Sequence, residues 1–135
     1  MKEWEAAYLA GIIDGEGSIT LTRMHDKEHR RPCITVASTD LELLEYLKNL
    51  TNGHITKKKN YHPDRHLDSI TLTIKTKNQV LYLLKFVLPF LRVEKKKKRA
   101  EWILTHYDRV TIRNGKYNPE CLKKKLTFEE DFFKL

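Results

Sequence analysis

The chain has 135 residues, 40% of them apolar, which suits one hydrophobic core over residues 1–135 and argues against two. This composition excludes a disordered polymer, and no apolar run reaches the roughly 20 residues that a bilayer-crossing helix needs, so no membrane partner is expected. Lysine and arginine number 26 against 18 acidic residues, and the net charge of +8 gathers polyanions, of which nucleic acid is the commonest inside cells.

At the start of the chain Glu3 and Glu5 flank Trp4, and no basic stretch precedes an apolar one. No signal or transit peptide is therefore expected, and an intracellular protein is, with cytoplasm, nucleus and organelle all open. From Trp4 to about Asp14 small and apolar residues dominate, and Gly15 and Gly17 follow, which predicts a helix ending in glycine. The period then drops to two. Ile19 and Leu21 alternate with Ser18, Thr20 and Thr22, and Ile34 and Val36 alternate with Cys33, Thr35 and Ala37, which predicts two strands joined by a charged loop over 24–32. Cys33 and Cys121 have no paired spacing and are expected to be reduced thiols.

Thr39 and Glu42 form a capping-box pattern ahead of Leu44 and Leu47, so a second helix should run to about Leu50 and stop at Asn52-Gly53. Strands are predicted over 55–59 and 67–74. Thr76 and Gln79 repeat the capping pattern before a third helix through Leu91, with Val80, Leu84 and Val87 at helical spacing and Pro89 in its last turn. A fourth helix should cover about Lys95 to Tyr107, and the tail from Pro119 should hold one or two short helices. The order is that of an α+β fold, αββαββα plus C-terminal helices, with a sheet whose apolar side packs on helices.

The polar side of that sheet offers Thr20, Thr22, Met24, Arg31, Cys33, Thr35, His54, Thr56, Lys58, Ser69, Thr71 and Thr73. Nearly all of them donate or accept hydrogen bonds. A strand ribbon of this kind can enter the major groove and meet base edges and phosphates, whereas the plainer reading is a solvated face. His62 and His66 lie four apart, but Pro63 between them argues against a metal-binding helix and for a loop. Residues 57–66 are rich in Lys, Asn, Tyr, His and Arg, which suits a hairpin loop along a DNA backbone, with Tyr61 and Arg65 as contacts.

The most specific stretch is Leu9-Ala10-Gly11-Ile12-Ile13-Asp14-Gly15-Glu16-Gly17. Glycines at 11 and 15 strip one face of a helix of side chains, so a second helix backbone can come close. The nine residues resemble the signature of the LAGLIDADG homing endonucleases, with Glu in place of Asp at the eighth position. Tyr8, Ser18-Ile19, Leu88-Pro89-Phe90-Leu91 and the basic helix after it also look like that family. The resemblance implies a four-stranded antiparallel, saddle-shaped sheet and two motif helices packed together, with an acid at the foot of each beside the scissile phosphates. One motif in the chain then means a homodimer with Tyr8, Gly11, Ile12 and Gly15 at its interface.

What the resemblance implies chemically is hydrolysis of phosphodiesters on both strands of a long, nearly palindromic double-stranded DNA, leaving short 3′ overhangs. Glu16 is the expected ligand of Mg²⁺, with the Gly15 carbonyl a second, in sites that Mn²⁺ or Ca²⁺ can also occupy. At helical spacing Lys96 shares a stripe with Ala100, Ile103 and Tyr107, so it should point inward, where the family has a basic residue by the active-site water. Lys98 is the alternative, ahead of Lys95. Ser38 matches the place where the family often carries a water-ordering glutamine. Two further readings stay open: a maturase that holds intron RNA, and a catalytically inactive DNA-binding protein, against which the intact acid at position 16 speaks.

Overall fold

The computed structural model describes residues 1–57 and 69–135. Its elements are α1 (Glu3–Glu16), β1 (Gly17–Thr22), β2 (Arg31–Ser38), α2 (Leu41–Thr51), β3 (His54–Lys57), β4 (Ile70–Ile74), α3 (Lys77–Val87), a 3₁₀ turn (Leu88–Phe90), α4 (Glu94–Val110) and α5 (Pro119–Phe133). The four strands form one antiparallel sheet in the order β1-β2-β4-β3. Among the described residues no helix is long and apolar enough to cross a membrane.

Alternation along the strands sets the layers. Ile19, Leu21, Ile34, Val36, Ile70, Leu72 and Ile74 turn inward and are buried against helical residues such as Leu9, Ile13, Leu44, Leu47, Val80 and Leu84. Each large aliphatic side chain buried in this way contributes about 1.5–3 kcal/mol relative to an exposed one. Gly17 joins the two layers. A Cβ there would stand 2.8 Å from the Cα of Ile13 and 3.1 Å from the carbonyl oxygen of Thr35, so only glycine lets the chain turn from α1 into the sheet.

The helix boundaries depart from the sequence patterns where other groups take over the capping. Asp40, not Thr39, stands at the N-cap of α2, and its backbone N–H donates to the Ser38 hydroxyl at 3.0 Å. Asn52 closes the same helix in the left-handed region at φ 58°. At α3 Thr76 does hold the N-cap, yet its side chain makes no cap bond. Gln79, expected to complete that box, instead donates from Nε2 to the Thr51 carbonyl at 2.6 Å, which ties α3 to the end of α2. The third helix stops at Val87 because Pro89 follows, and the chain tightens into the 3₁₀ turn. The tail is one 15-residue helix whose Asn118 side chain accepts from the Cys121 N–H, with Pro119 at its first position.

Helix α5 docks on α4 through Phe128 and Phe132, and with them goes Lys125, which is only 1% exposed. Its ammonium donates to the Thr111 hydroxyl at 2.7 Å and lies over the Tyr107 ring, 4.4 Å from the centroid. Burial pulls its pKa down to about 8, against the attraction of Glu129. The folded chain thus gives up this proton near pH 8, while an unfolded lysine keeps it to about 10.5, so the unfolded state holds more protons in between. Stability therefore rises with pH across that window as far as Lys125 decides it. Urea unfolding at pH 7.5 and pH 9.5 should show a gain on the order of 1–2 kcal/mol for the native chain over Lys125→Met. Equal pH dependence in the two proteins would show that the buried ammonium carries no such penalty.

Candidate active site and nucleic-acid face

At the foot of α1 two helix ends hold each other. The Asp14 carboxylate accepts the backbone N–H groups of Arg92 at 2.8 Å and Val93 at 3.0 Å, the residues that lead into α4. In return Lys96, in the first turn of α4, donates from Nζ to the carbonyls of Ile13 at 2.7 Å and Asp14 at 2.8 Å. A carboxylate thus takes the N–H groups of the chain entering α4, and an ammonium takes the last carbonyls of α1, of which that of Ile13 also accepts the Gly17 N–H. Lys96 points inward, on the stripe with buried Ala100, Ile103 and Tyr107. Lys98 lies on the other side of α4, where it lines a cavity with Trp102, His106 and Leu135, and Lys95 is exposed.

These contacts separate the two acids of the motif. Asp14 is committed to backbone donors, whereas Glu16 is exposed and has no hydrogen-bond partner among the described residues. Gly15, whose carbonyl is likewise unbonded among those residues, is exposed. Ser38 belongs to the same end of the sheet, because Gly17 pairs with Val36 and the strand runs two residues further. Its hydroxyl already accepts the Asp40 N–H, which leaves its proton free to be donated.

On the outer side of α1, Trp4 and Tyr8 are 60% and 45% exposed, and Gly11 and Gly15 continue the same stripe at helical spacing. A Cβ at Gly11 or Gly15 would meet nothing within 4 Å. Neither glycine is therefore required by its own chain. Ile12 is half-buried beside the stripe, and the Tyr8 ring meets Tyr46 of α2 edge-on, with centroids 5.7 Å apart.

The outer sheet face forms continuous polar rows. Ser18 pairs with Thr35, Thr35 with Thr73, and Thr73 with His54, one row across all four strands, while Thr71 pairs with Thr56 beside it. The Ser18 and Thr35 hydroxyls are bonded to each other at 2.6 Å. Thr20, Thr22, Thr35, Ser69, Thr71 and Thr73 are half-exposed, and His54 and Thr56 are exposed. Cys33 differs from its neighbours. It lies on this side opposite Thr20, yet is only 3% exposed, and burial raises its thiol pKa against the pull of Lys75. Met24 is half-buried in the β1–β2 turn, and Arg31, paired with Glu28 at 3.8 Å, sits at the far end of the sheet opposite Thr22. Lys58, Tyr61 and Arg65, with His62 and His66, lie outside the described residues. Ser18 and Lys75 are not among the contacts expected from the sequence. Strand alternation alone places Ser18 on this face, but nothing in a single chain marks Lys75, which depends on the β2–β4 register.

A family model described as LAGLIDADG endonuclease matches residues 9–103, from the first motif residue to the middle of α4. The chain belongs to the LAGLIDADG endonuclease family. The intron-encoded DNA endonuclease aI3 of Saccharomyces cerevisiae is 34% identical over 81% of this chain, and the chain spans 27% of that relative's length. Among solved structures, the homing endonuclease I-CvuI in complex with the I-CreI target and Mg superposes over 97% of this chain and 81% of its own, with a TM-score of 0.73 and 17% identity. The archaeal intron-encoded homing endonuclease I-Vdi141I, complexed with DNA, covers 99% and 85% at a TM-score of 0.65 and 16% identity. I-GzeII, a LAGLIDADG homing endonuclease in complex with its DNA target, covers 92% of this chain but 43% of its own, at 0.64 and 17%. At these identities the structural likeness shows the shared fold, with helices behind a four-stranded antiparallel sheet.

Replacing Asp14 by Ala leaves two N–H donors at the start of α4 without an acceptor and should cost about 1–3 kcal/mol in equilibrium unfolding. Asp14→Asn, which keeps one acceptor oxygen, should recover part of that. Unchanged stability in Asp14→Ala would mean that the clamp contributes nothing to holding α4.

Proposed function

We propose that this chain is half of a homodimeric, Mg²⁺-dependent endonuclease that cuts both strands of a long, nearly palindromic DNA duplex and leaves short 3′ overhangs. The observation that carries this reading is the foot of α1, where a Glu16 carboxylate without a partner among the described residues adjoins a helix face that is bare at Gly11 and Gly15. The family and the intron-encoded DNA endonuclease that resembles the chain support the reaction class. The polar rows of the sheet and the net charge of +8 suit a duplex lying across that face.

The donor set at the foot of α1 fits a hard cation. Glu16 and the Gly15 carbonyl offer oxygen, the element that Mg²⁺ prefers. Among the described residues no three His, Cys, Asp or Glu side chains gather into a metal site, so one chain supplies only part of a coordination shell. A second copy, packed through Tyr8, Gly11, Ile12 and Gly15, brings its own Glu16 alongside. When bound, the ion supplies the positive charge that lets two carboxylates and a phosphodiester share one place, and it polarises the phosphate.

The remaining steps fall to the chain itself. Lys96 fixes the last carbonyls of α1, so the direction in which Glu16 and Gly15 face the phosphate is set before DNA arrives. Ser38, with a hydroxyl proton to spare, holds a water near that end of the sheet. Ser18, Thr20, Thr35, Thr71, Thr73, His54 and Thr56 present donors and acceptors to base edges, and Arg31 reaches the flanking backbone.

Glu16→Gln should lower double-strand cleavage with Mg²⁺ by at least about 100-fold, with duplex binding measured without metal retained. Cleavage that survives this change removes Glu16 from the chemistry. Gly11→Leu should behave in opposite ways in the two states. It fills open space in one chain and replaces a poor helix former, which favours the folded chain by up to about 1 kcal/mol, yet it blocks close approach of a second helix. Sedimentation should show a monomer that melts no earlier than the native chain. A Gly11→Leu protein that still sediments as a dimer and cuts both strands places the interface elsewhere.

A further inference from the structure

Between the β1–β2 turn, the start of α3, the end of α4 and α5 lies a cavity of about 370 Å³, at the end of the sheet remote from Glu16. Arg31, Lys77 and Lys125 line it, together with Tyr107, Thr111 and Tyr117. At its floor Lys125 is held in a defined way. Thr111 spends its hydroxyl proton on the Tyr107 carbonyl at 2.6 Å, so toward Lys125 it acts only as acceptor. The face of Tyr107 takes up another side of the ammonium. An ammonium has three protons, and among the described residues no carboxylate lies within 4 Å of this one.

Burying a cation without a counter-ion is costly, and the surroundings do not remove the cost. Glu129, the nearest candidate, is itself buried and turned away, toward His29 at 3.8 Å, Arg30 at 3.7 Å and the Arg30 N–H at 3.2 Å. The two acids that pair with the rim cations are exposed. Glu28 pairs with Arg31 at 3.8 Å and Asp108 with Lys77 at 2.7 Å. Exposed pairs of this kind are worth about 0–1 kcal/mol, so a stronger anion displaces them readily. The hydroxyl of Tyr117 accepts the Ile112 N–H at 3.4 Å and keeps its own proton for the cavity.

We propose that this cavity is a phosphate-binding site, in which Lys125 at the floor and Arg31 and Lys77 at the rim hold a phosphate mono- or diester. The group comes either from a mobile phosphate ligand or from the backbone of a bound duplex beyond the sheet face. The site does not depend on Glu16 or on cleavage. The anion completes the charge pairing of Lys125, while the guanidinium of Arg31 can grip two oxygens at once. Burial depresses the Lys125 pKa, and a bound anion would shift the preference back toward the ammonium form.

The test begins without DNA. Inorganic phosphate is titrated at pH 7 against the full chain, with sodium chloride adjusted to constant ionic strength, and melting temperature and calorimetric heat are read. The native chain and Lys85→Gln, which removes one exposed charge elsewhere, should bind phosphate and melt later. Lys125→Met should lose the effect, and Lys77→Gln and Arg31→Gln should each weaken binding severalfold. Since Lys125→Met changes a buried residue, its near-ultraviolet circular dichroism is compared with the native spectrum, and the two rim variants test the site should it misfold. Duplexes extended stepwise at both ends then separate the sources. If the backbone supplies the group, affinity rises at one extension in the native chain and not in Lys77→Gln, and free phosphate competes. If the ligand is mobile, duplex affinity is the same in both proteins and phosphate still binds to the complex. The proposal is overturned if phosphate acts no differently from chloride and duplex affinity at every length ignores Arg31, Lys77 and Lys125.

Discussion

The arrangement depends on the exchange of charges between the end of α1 and the beginning of α4. Each helix end leaves backbone groups without partners, and here each is served by a side chain from the other: the carboxylate of Asp14 for one, the ammonium of Lys96 for the other. A lysine in the first turn of a helix opposes that helix's own dipole. Its place is explained by the carbonyls of α1, which concentrate partial negative charge at the same point. Because the two pairs of bonds run in opposite directions, neither helix can slide without breaking one of them. The lines of side chains along α4, from Ala100 through Ile103 to Tyr107, and the docking of α5 behind them inherit their position from this junction.

The same junction explains why two neighbouring acids have different fates. Asp14 faces inward to backbone donors and is structural, whereas Glu16, half a turn on, leaves the helix toward solvent. The motif therefore encodes a capping acid and an exposed acid two residues apart, followed by a glycine that steers the chain into the sheet. On the opposite side of the molecule the logic is reversed. There a lysine is drawn into an aromatic setting of Tyr107 and Phe128, so a chain with a large excess of surface cations also keeps one inside.

Much of this was legible in the residue order. The strands were read from alternation in Ile19-Leu21, Ile34-Val36 and Ile70-Leu72-Ile74, since one buried face imposes a period of two. The inward direction of Lys96 followed from its spacing to Ala100 and Ile103. Capping was less readable, because it depends on which acceptor is near. The N-cap of α2 fell to Asp40, one residue after Thr39, and Gln79 turned from its own helix start to the Thr51 carbonyl. Tertiary contacts likewise decide the role of Asp14, the burial of Cys33 and that of Lys125, and no local pattern records them. Lys125 stands among lysines in the sequence, and only the packing of α5 against α4 distinguishes it from Lys123 and Lys124, which are exposed.

The crowding around Gly17 has a consequence for how such a protein can vary. With Ile13 and Thr35 already against it, the helix–strand corner admits no side chain without forcing the two layers apart. In the proposed reaction the reach of the acidic group is set by the side chain at position 16, where a glutamate extends one methylene farther than an aspartate would.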